Sequence, residues 1–168
     1  MARQVFYSFH YRNDVRRVAL IRNIGALEGN KPVSDNDWEQ VKKGGDGAIK
    51  KWIDDNMKYR SCVIVLIGTE TWKRKWVRYE IEKAFRDGKT IFGIYIHNIA
   101  DPIYGKCSKG LNPFDYVVIN GTKLSNCITC YDPKPFDAYN DIRANLSKWV
   151  EIETLKNRKL NPNILRGF

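Results

Sequence analysis

Little in this chain is long or concentrated. No stretch approaches the roughly 18 consecutive apolar residues of a membrane span. The segment Gln4 to Phe9 reads as a strand almost at once, with no signal-peptide pattern before it. The expectation is a cytoplasmic protein with no membrane contact. Cysteine is sparse: Cys62 lies inside an apolar run, and a reducing cytosol leaves it, Cys107, Cys127 and Cys130 as free thiols. Cys127-Ile-Thr-Cys130 has the spacing of a metal half-site that Cys107 and His97 would complete. A second closely spaced pair is lacking, however, and a hairpin with two free thiols accounts for the same letters, so no metal is expected. Gly44, Gly45 and Gly47 make neither GxGxxG nor GxxxxGK[ST], so they do not form a phosphate loop of either kind. Repeats and low-complexity tracts are absent as well.

What is there is an ordinary globular chain. Its 168 residues support one domain, with the basic stretch 156–168 left unassigned, and 43% apolar residues are too many for wholesale disorder. A net charge of +10 draws anions over long range. Nucleotides, nucleic acid and acidic partners all fit that field. The cations are scattered through helical segments, and the densest run, Lys73 to Arg78, is interrupted by Trp76 and Val77, so nucleic acid is favoured by charge alone and is not the expected partner.

Along the chain, Gln4 to Phe9 reads as a buried strand meeting a polar loop at His10 to Asp14. Asp14 to about Leu27 keeps a helical spacing, with Gly25 and Gly29 as stops, and a short second strand is expected near Pro32 and Val33. Asp46 caps a helix striped by Ala48, Ile49, Trp52, Ile53 and Met57. Ser61 to Ile67 is a central strand, Trp76 to Phe85 a helix, and Thr90 to Ile96 the next strand. Asp115 to Ile119 reads as a last, shorter strand, and Phe136 to about Leu155 as a terminal helix with Phe136, Tyr139, Ile142, Leu146, Trp149 and Val150 on one face. Alternating strands and helices imply a parallel sheet covered on both sides. In such sheets ligands bind beyond the carboxyl ends of the strands. Three segments qualify: Ser8 to Asn13, Asp35 to Glu39, and Gly68 to Glu80.

The opening VFYSFHYRND resembles the first strand and following loop of TIR domains, and WVRYE at Trp76 to Glu80 resembles their Trp-x-x-x-Glu helix. Among these, VFYSFHY, Asp37-Trp38-Glu39, VLIGTETWKRKWVRYEI and KGLNPFDY are similar to the TIR-like proteins of bacterial Thoeris antiphage systems. The resemblance implies a flavodoxin-like α/β fold and an enzyme that cleaves the nicotinamide–ribose bond of NAD, with NAD as substrate and no further cofactor. It also implies that the ADP-ribose is cyclised or conjugated into a signal read by a separate effector protein. The family's glutamate falls on Glu80, and its pocket positions fall on Phe6, Ser8, Phe9 and His10, with an acidic and aromatic loop near Asp37 and Trp38. His10 stands where many TIR domains carry a second serine.

Independently of the resemblance, breaking an N-glycosidic bond builds positive charge on the ribose, which a nearby carboxylate such as Glu80 stabilises. Phe9, Trp38 or Trp76 offers a face for stacking on a base, and Arg12 and Arg78 offer guanidinium groups for a pyrophosphate. Each residue also has a plainer role. Glu80 pairs with Lys83 on a solvated helix, Trp76 anchors its helix to the core, and His10 bonds the backbone. For the whole chain, the alternative to an enzyme is a non-catalytic TIR-type module that works by self-association.

Overall fold

A computed structural model of the protein describes residues 3–29 and 40–165. Strand β1 (Arg3–Ser8) leads into helix α1 (Tyr11–Arg22) and strand β2 (Leu27–Gly29), followed by helix α2 (Gly45–Met57) and strand β3 (Cys62–Ile67). Helix α3 (Lys75–Arg86) and strand β4 (Thr90–Tyr95) come next. A small hairpin of β5 (Val118–Ile119) and β6 (Thr122–Lys123), strand β7 (Cys130–Tyr131) and the long helix α4 (Ala138–Leu165) complete the chain. The main sheet has the order β2-β1-β3-β4-β7, and every pairing in it is parallel.

Period-two alternation along the strands builds a core on each face. Val5, Tyr7, Cys62, Ile64 and Leu66 point toward α1 and α4, where Val18, Ile21, Ile142, Leu146 and Val150 meet them. Phe6, Val63, Val65 and Ile67 point the other way, onto Ile49, Ile53 and Met57 of α2 and Val77, Ile81 and Ala84 of α3. All six residues of β3 are buried, as its uninterrupted apolar run predicts for a strand covered on both sides. The result is the expected three-layer, flavodoxin-like α/β domain. No helix among the described residues is long and apolar enough to cross a membrane.

Several boundaries differ from the sequence reading. Helix α1 begins at Tyr11 and ends at Arg22, because Gly25 takes a positive φ of 75° and turns the chain, leaving Leu27 free to enter β2. Pro32 and Val33 lie outside the described residues. Asp46 sits in the first turn of α2 and bonds Lys75, while Gly44 occupies the cap position. Asp115 to Ile119 is not a strand of the main sheet. Pro113 initiates a 3-10 turn over Pro113–Tyr116, and β5 pairs antiparallel with β6 across Asn120-Gly121, both at positive φ. The fifth parallel strand is β7, built on Cys130 of the CxxC, whose packing against Gly93 leaves no room for a β-carbon there. Helix α4 runs on to Leu165, and Phe136 precedes it fully in solvent while Tyr139 is also exposed; the buried stripe is Ile142, Leu146 and Val150.

Candidate active site

Chain order reverses between β1 and β3, since β2 lies on one side of β1 and β3 on the other. Loops leaving the carboxyl ends of these two strands therefore diverge to opposite faces and open a crevice between them. Ser8 closes β1 with its side chain on the α3 side, after Phe6, and is fully buried. On α3, Val77, Ile81 and Ala84 form the stripe that anchors the helix to the sheet. Glu80 falls one turn after Val77 on that inward face, so helical periodicity drives a carboxyl into the protein. The Ser8 hydroxyl donates to Glu80 Oε1 at 3.0 Å.

Among the described residues no cation pairs with this carboxyl. Lys83, its partner in the plainer reading, instead binds Asp87 at 2.9 Å and lies 3.9 Å from Asp54. Burial therefore dominates and pushes the Glu80 carboxyl up to about 8, with the Ser8 hydrogen bond pulling in the other direction. Near neutral pH the group is mostly protonated in the free protein.

His10 follows two residues on. It is buried, and its Nδ1 has no hydrogen-bond partner among the described residues. Burial first, then Arg74, lowers its proton affinity; Lys73 and Arg12 act in the same sense and Glu70 opposes them. The loop after β3 is tied across the crevice to α1 by Asn13 Nδ2, which donates to Glu70 Oε2 at 3.0 Å. Within that loop the Gly68 N–H donates to Thr71 Oγ1 at 2.8 Å. A cleft of about 320 Å³ opens beside the first turns of α1, between Arg12, Asn13, Asp14, Thr69, Tyr104 and Cys107. Glu80 does not line it.

The other residues singled out by sequence are distributed unevenly. Phe6 is buried in the α2/α3 core, whereas Phe9 packs against the opposite core with its ring 6.2 Å from Tyr11. Trp76 is half-buried against the α2/α3 core, edge-on to Tyr79, with Lys75 Nζ 4.8 Å from its ring centre. Arg78 gives its Nε to the Trp72 carbonyl at 3.1 Å and lies over the Tyr116 ring at 5.1 Å. Arg12 is exposed at the edge of the cleft. Asp37 and Trp38 lie outside the described residues. Cys62, Cys107, Cys127 and Cys130 are free thiols, and among the described residues no three His, Cys, Asp or Glu side chains are grouped as metal ligands.

Sequence reasoning missed a second set of charged groups. Arg17 is buried and uses its whole guanidinium: Nε to the Ile99 carbonyl at 2.9 Å, Nη1 to the Asn13 carbonyl at 3.2 Å and to Asp14 Oδ1 at 2.9 Å, and Nη2 to the Gly105 carbonyl at 2.7 Å. Next to it, Arg16 Nε reaches both oxygens of Asp101 at 2.9 Å, and Asp101 also accepts from the Ile103 and Tyr104 N–H groups. The signal lay in the stripe of α1, where Asp14 stands one turn before the buried Val18 and Arg17 follows it by three. A charged pair on a core-facing stripe marks a buried ion pair.

A parallel sheet with a buried, uncompensated carboxyl at its switch point, presented by a Trp-x-x-x-Glu helix, defines a TIR-like domain. The family described as Thoeris protein ThsB, TIR-like domain, matches residues 6–101, which span β1 through β4, and the chain belongs to that family. It is also similar to the putative cyclic ADP-D-ribose synthase ThsB1 of Bacillus cereus (strain MSX-D12), at 34% identity over 172 residues, covering 99% of this chain and 85% of that protein.

Proposed function

We propose that this protein consumes NAD, breaking the nicotinamide–ribose bond at Glu80 and closing the ADP-ribose into a cyclic signal that a separate effector reads in antiphage defence. The observation that carries the reading is the buried Glu80 carboxyl, held by Ser8 at the carboxyl end of β1 and unpaired with any cation among the described residues. Similarity to a putative cyclic ADP-D-ribose synthase along almost the whole chain supports the same activity.

The chemistry follows from charge. The nicotinamide ring is cationic in NAD, and its approach favours the ionised form of Glu80, whose proton leaves to solvent. As the C–N bond breaks, the electron pair departs with nicotinamide, which becomes neutral, and positive charge moves onto the ribose. A carboxylate in a water-poor site stabilises that charge far more than one in bulk water does. Ser8 fixes the carboxyl without neutralising it. Capture of the ribose carbon by a nucleophile of the same ADP-ribose then closes the ring and releases one proton.

Glu80→Gln keeps the shape and removes the charge. Nicotinamide release, followed by NMR in extracts of phage-challenged cells expressing each form and with the purified proteins, is expected to fall by about 10²-fold or more. The circular dichroism spectrum should stay that of the wild type. Wild-type product formation by the Gln variant would overturn the assignment.

A further inference from the structure

The cations around the crevice differ in one respect. On α1, Arg16 is engaged by Asp101 and Arg17 by four acceptors. In and after the β3 loop, Lys73 binds Glu70 at 2.8 Å, Lys75 binds Asp46 at 2.6 Å, and Arg78 is held by the Trp72 carbonyl and the Tyr116 ring. Arg12 and Arg74 alone in this group have no side-chain hydrogen bond, ion pair or ring contact among the described residues, and both are exposed.

Their positions are not arbitrary. Arg12 is the second residue of α1, just beyond the end of β1, and Arg74 is the residue before α3, at the end of the β3 loop. The Asn13–Glu70 hydrogen bond, formed by the neighbour of Arg12 and a residue of Arg74's own loop, draws the two segments together across the switch point. His10 lies buried in the field of both. Glu70, the carboxylate in the same field, is already answered by Lys73 and Asn13. Two exposed cations carried on segments tied together in this way favour an anion between them.

We propose that Arg12 and Arg74 form a two-armed clamp for the diphosphate of a dinucleotide, reaching it from the two segments that the Asn13–Glu70 hydrogen bond ties together across the switch point. A guanidinium is planar and always charged, and it grips a phosphate through two parallel N–H donors. Two of them on separate elements match two linked phosphates. The ligand assignment rests on the proposed NAD-consuming function. The clamp replaces the Arg12 and Arg78 pair suggested by sequence spacing, because Arg78 is occupied elsewhere.

Calorimetric binding of ADP-ribose tests the clamp without requiring any bond to break. Arg12→Gln and Arg74→Gln are each expected to weaken binding about tenfold, and the double variant more than either alone. Lys73→Gln, which removes a cation of the same loop that has its own partner, should change it less than about threefold. In turnover, both Arg variants should raise KM for NAD and leave the release of nicotinamide from nicotinamide riboside, which has no phosphate, at the wild-type rate. ADP-ribose binding unchanged in Arg74→Gln, no ADP-ribose binding by the wild type, or equal losses with NAD and the riboside would each overturn the clamp. Wild-type protein that binds ADP-ribose through these arginines yet releases no nicotinamide would leave the clamp standing and overturn the enzymatic reading instead.

Discussion

Two groups of buried carboxyls share the carboxyl-terminal end of this sheet, and they are treated in opposite ways. On the α1 side, Asp14 and Asp101 each face an arginine at 2.9 Å. Arg16 and two backbone N–H groups hold the Asp101 carboxyl down at about 2, while burial of Asp14 wins over Arg17 and raises that group. On the α3 side, Glu80 has one neutral hydroxyl and, among the described residues, no counter-charge, and its carboxyl rises to about 8. The paired groups stitch loops to α1. Their counterpart Glu80 is buried without such a partner among the described residues, an arrangement that costs stability once the group ionises and that fits the catalytic role proposed for it.

The widest contrast appears on changing pH. A carboxyl whose folded value lies above its unfolded one binds more protons in the native state, so stability falls as pH rises from about 4.5 through 8 and the penalty is complete above that. Glu80→Gln should therefore be more stable than wild type at pH 9, by up to about 4 kcal/mol, and nearly equal to it at pH 4. Urea titrations at the two pH values measure this. A variant no more stable than wild type at pH 9 would mean that the carboxyl reaches solvent and that the contrast is false.

Breaking a paired member should act in the reverse sense. Arg17→Met leaves Asp14 buried without its counter-ion and should cost about 3 kcal/mol at pH 7. That loss should shrink on acidification, as Asp14 takes up a proton, and the urea midpoint at pH 7 and pH 4 reads it. A midpoint at pH 7 within error of wild type would show that Arg17 does not hold the 99–105 loop. The smallest change sharpens the comparison. Ser8→Ala removes the one interaction among the described residues that favours the ionised form of Glu80, so the Glu80 titration should move upward in pH and the variant should be less stable than wild type where the carboxyl is ionised. The stability difference is expected to be about 1 kcal/mol at pH 9, and carboxyl NMR locates the titration. An unmoved titration would remove Ser8 from the site.

Much of this was readable from residues in order. The apolar runs of β1, β3 and β4 are buried on both faces and stand out without periodicity, and the stripes of α2 and α3 have the helical spacing. The family's Trp-x-x-x-Glu helix located Glu80 and the resemblance named Ser8 as a pocket position, while the hydrogen bond between them became visible only in the fold. Two-residue strands were not readable: β7 is Cys-Tyr and β5 is Val-Ile, too short to carry a pattern, and the parallel pairing of β7 depends on its docking beside Gly93. Which arginine stands free was equally hidden. Arg74 and Arg78 are alike in sequence, and only the fold places the Trp72 carbonyl and the Tyr116 ring against one of them. The same holds for Arg16 and Arg17, whose partners are some 85 residues away in the chain.

Gly68, at the end of β3, has Asp14 against it, since a β-carbon there would come within 2.7 Å of the Asp14 carboxyl carbon. From the far side Gly110 closes on the same stretch of backbone, where its own β-carbon would meet the Thr69 carbonyl oxygen at 2.7 Å. Three segments remote in sequence thus meet at Gly68 and Thr69, one through the Asp14 side chain and one through the Gly110 backbone, with no room for a β-carbon at either glycine. Any side chain placed at this three-way junction would therefore have to displace the Asp14 carboxyl or the backbone at Gly68 and Thr69, so an enlargement there demands simultaneous change in all three segments.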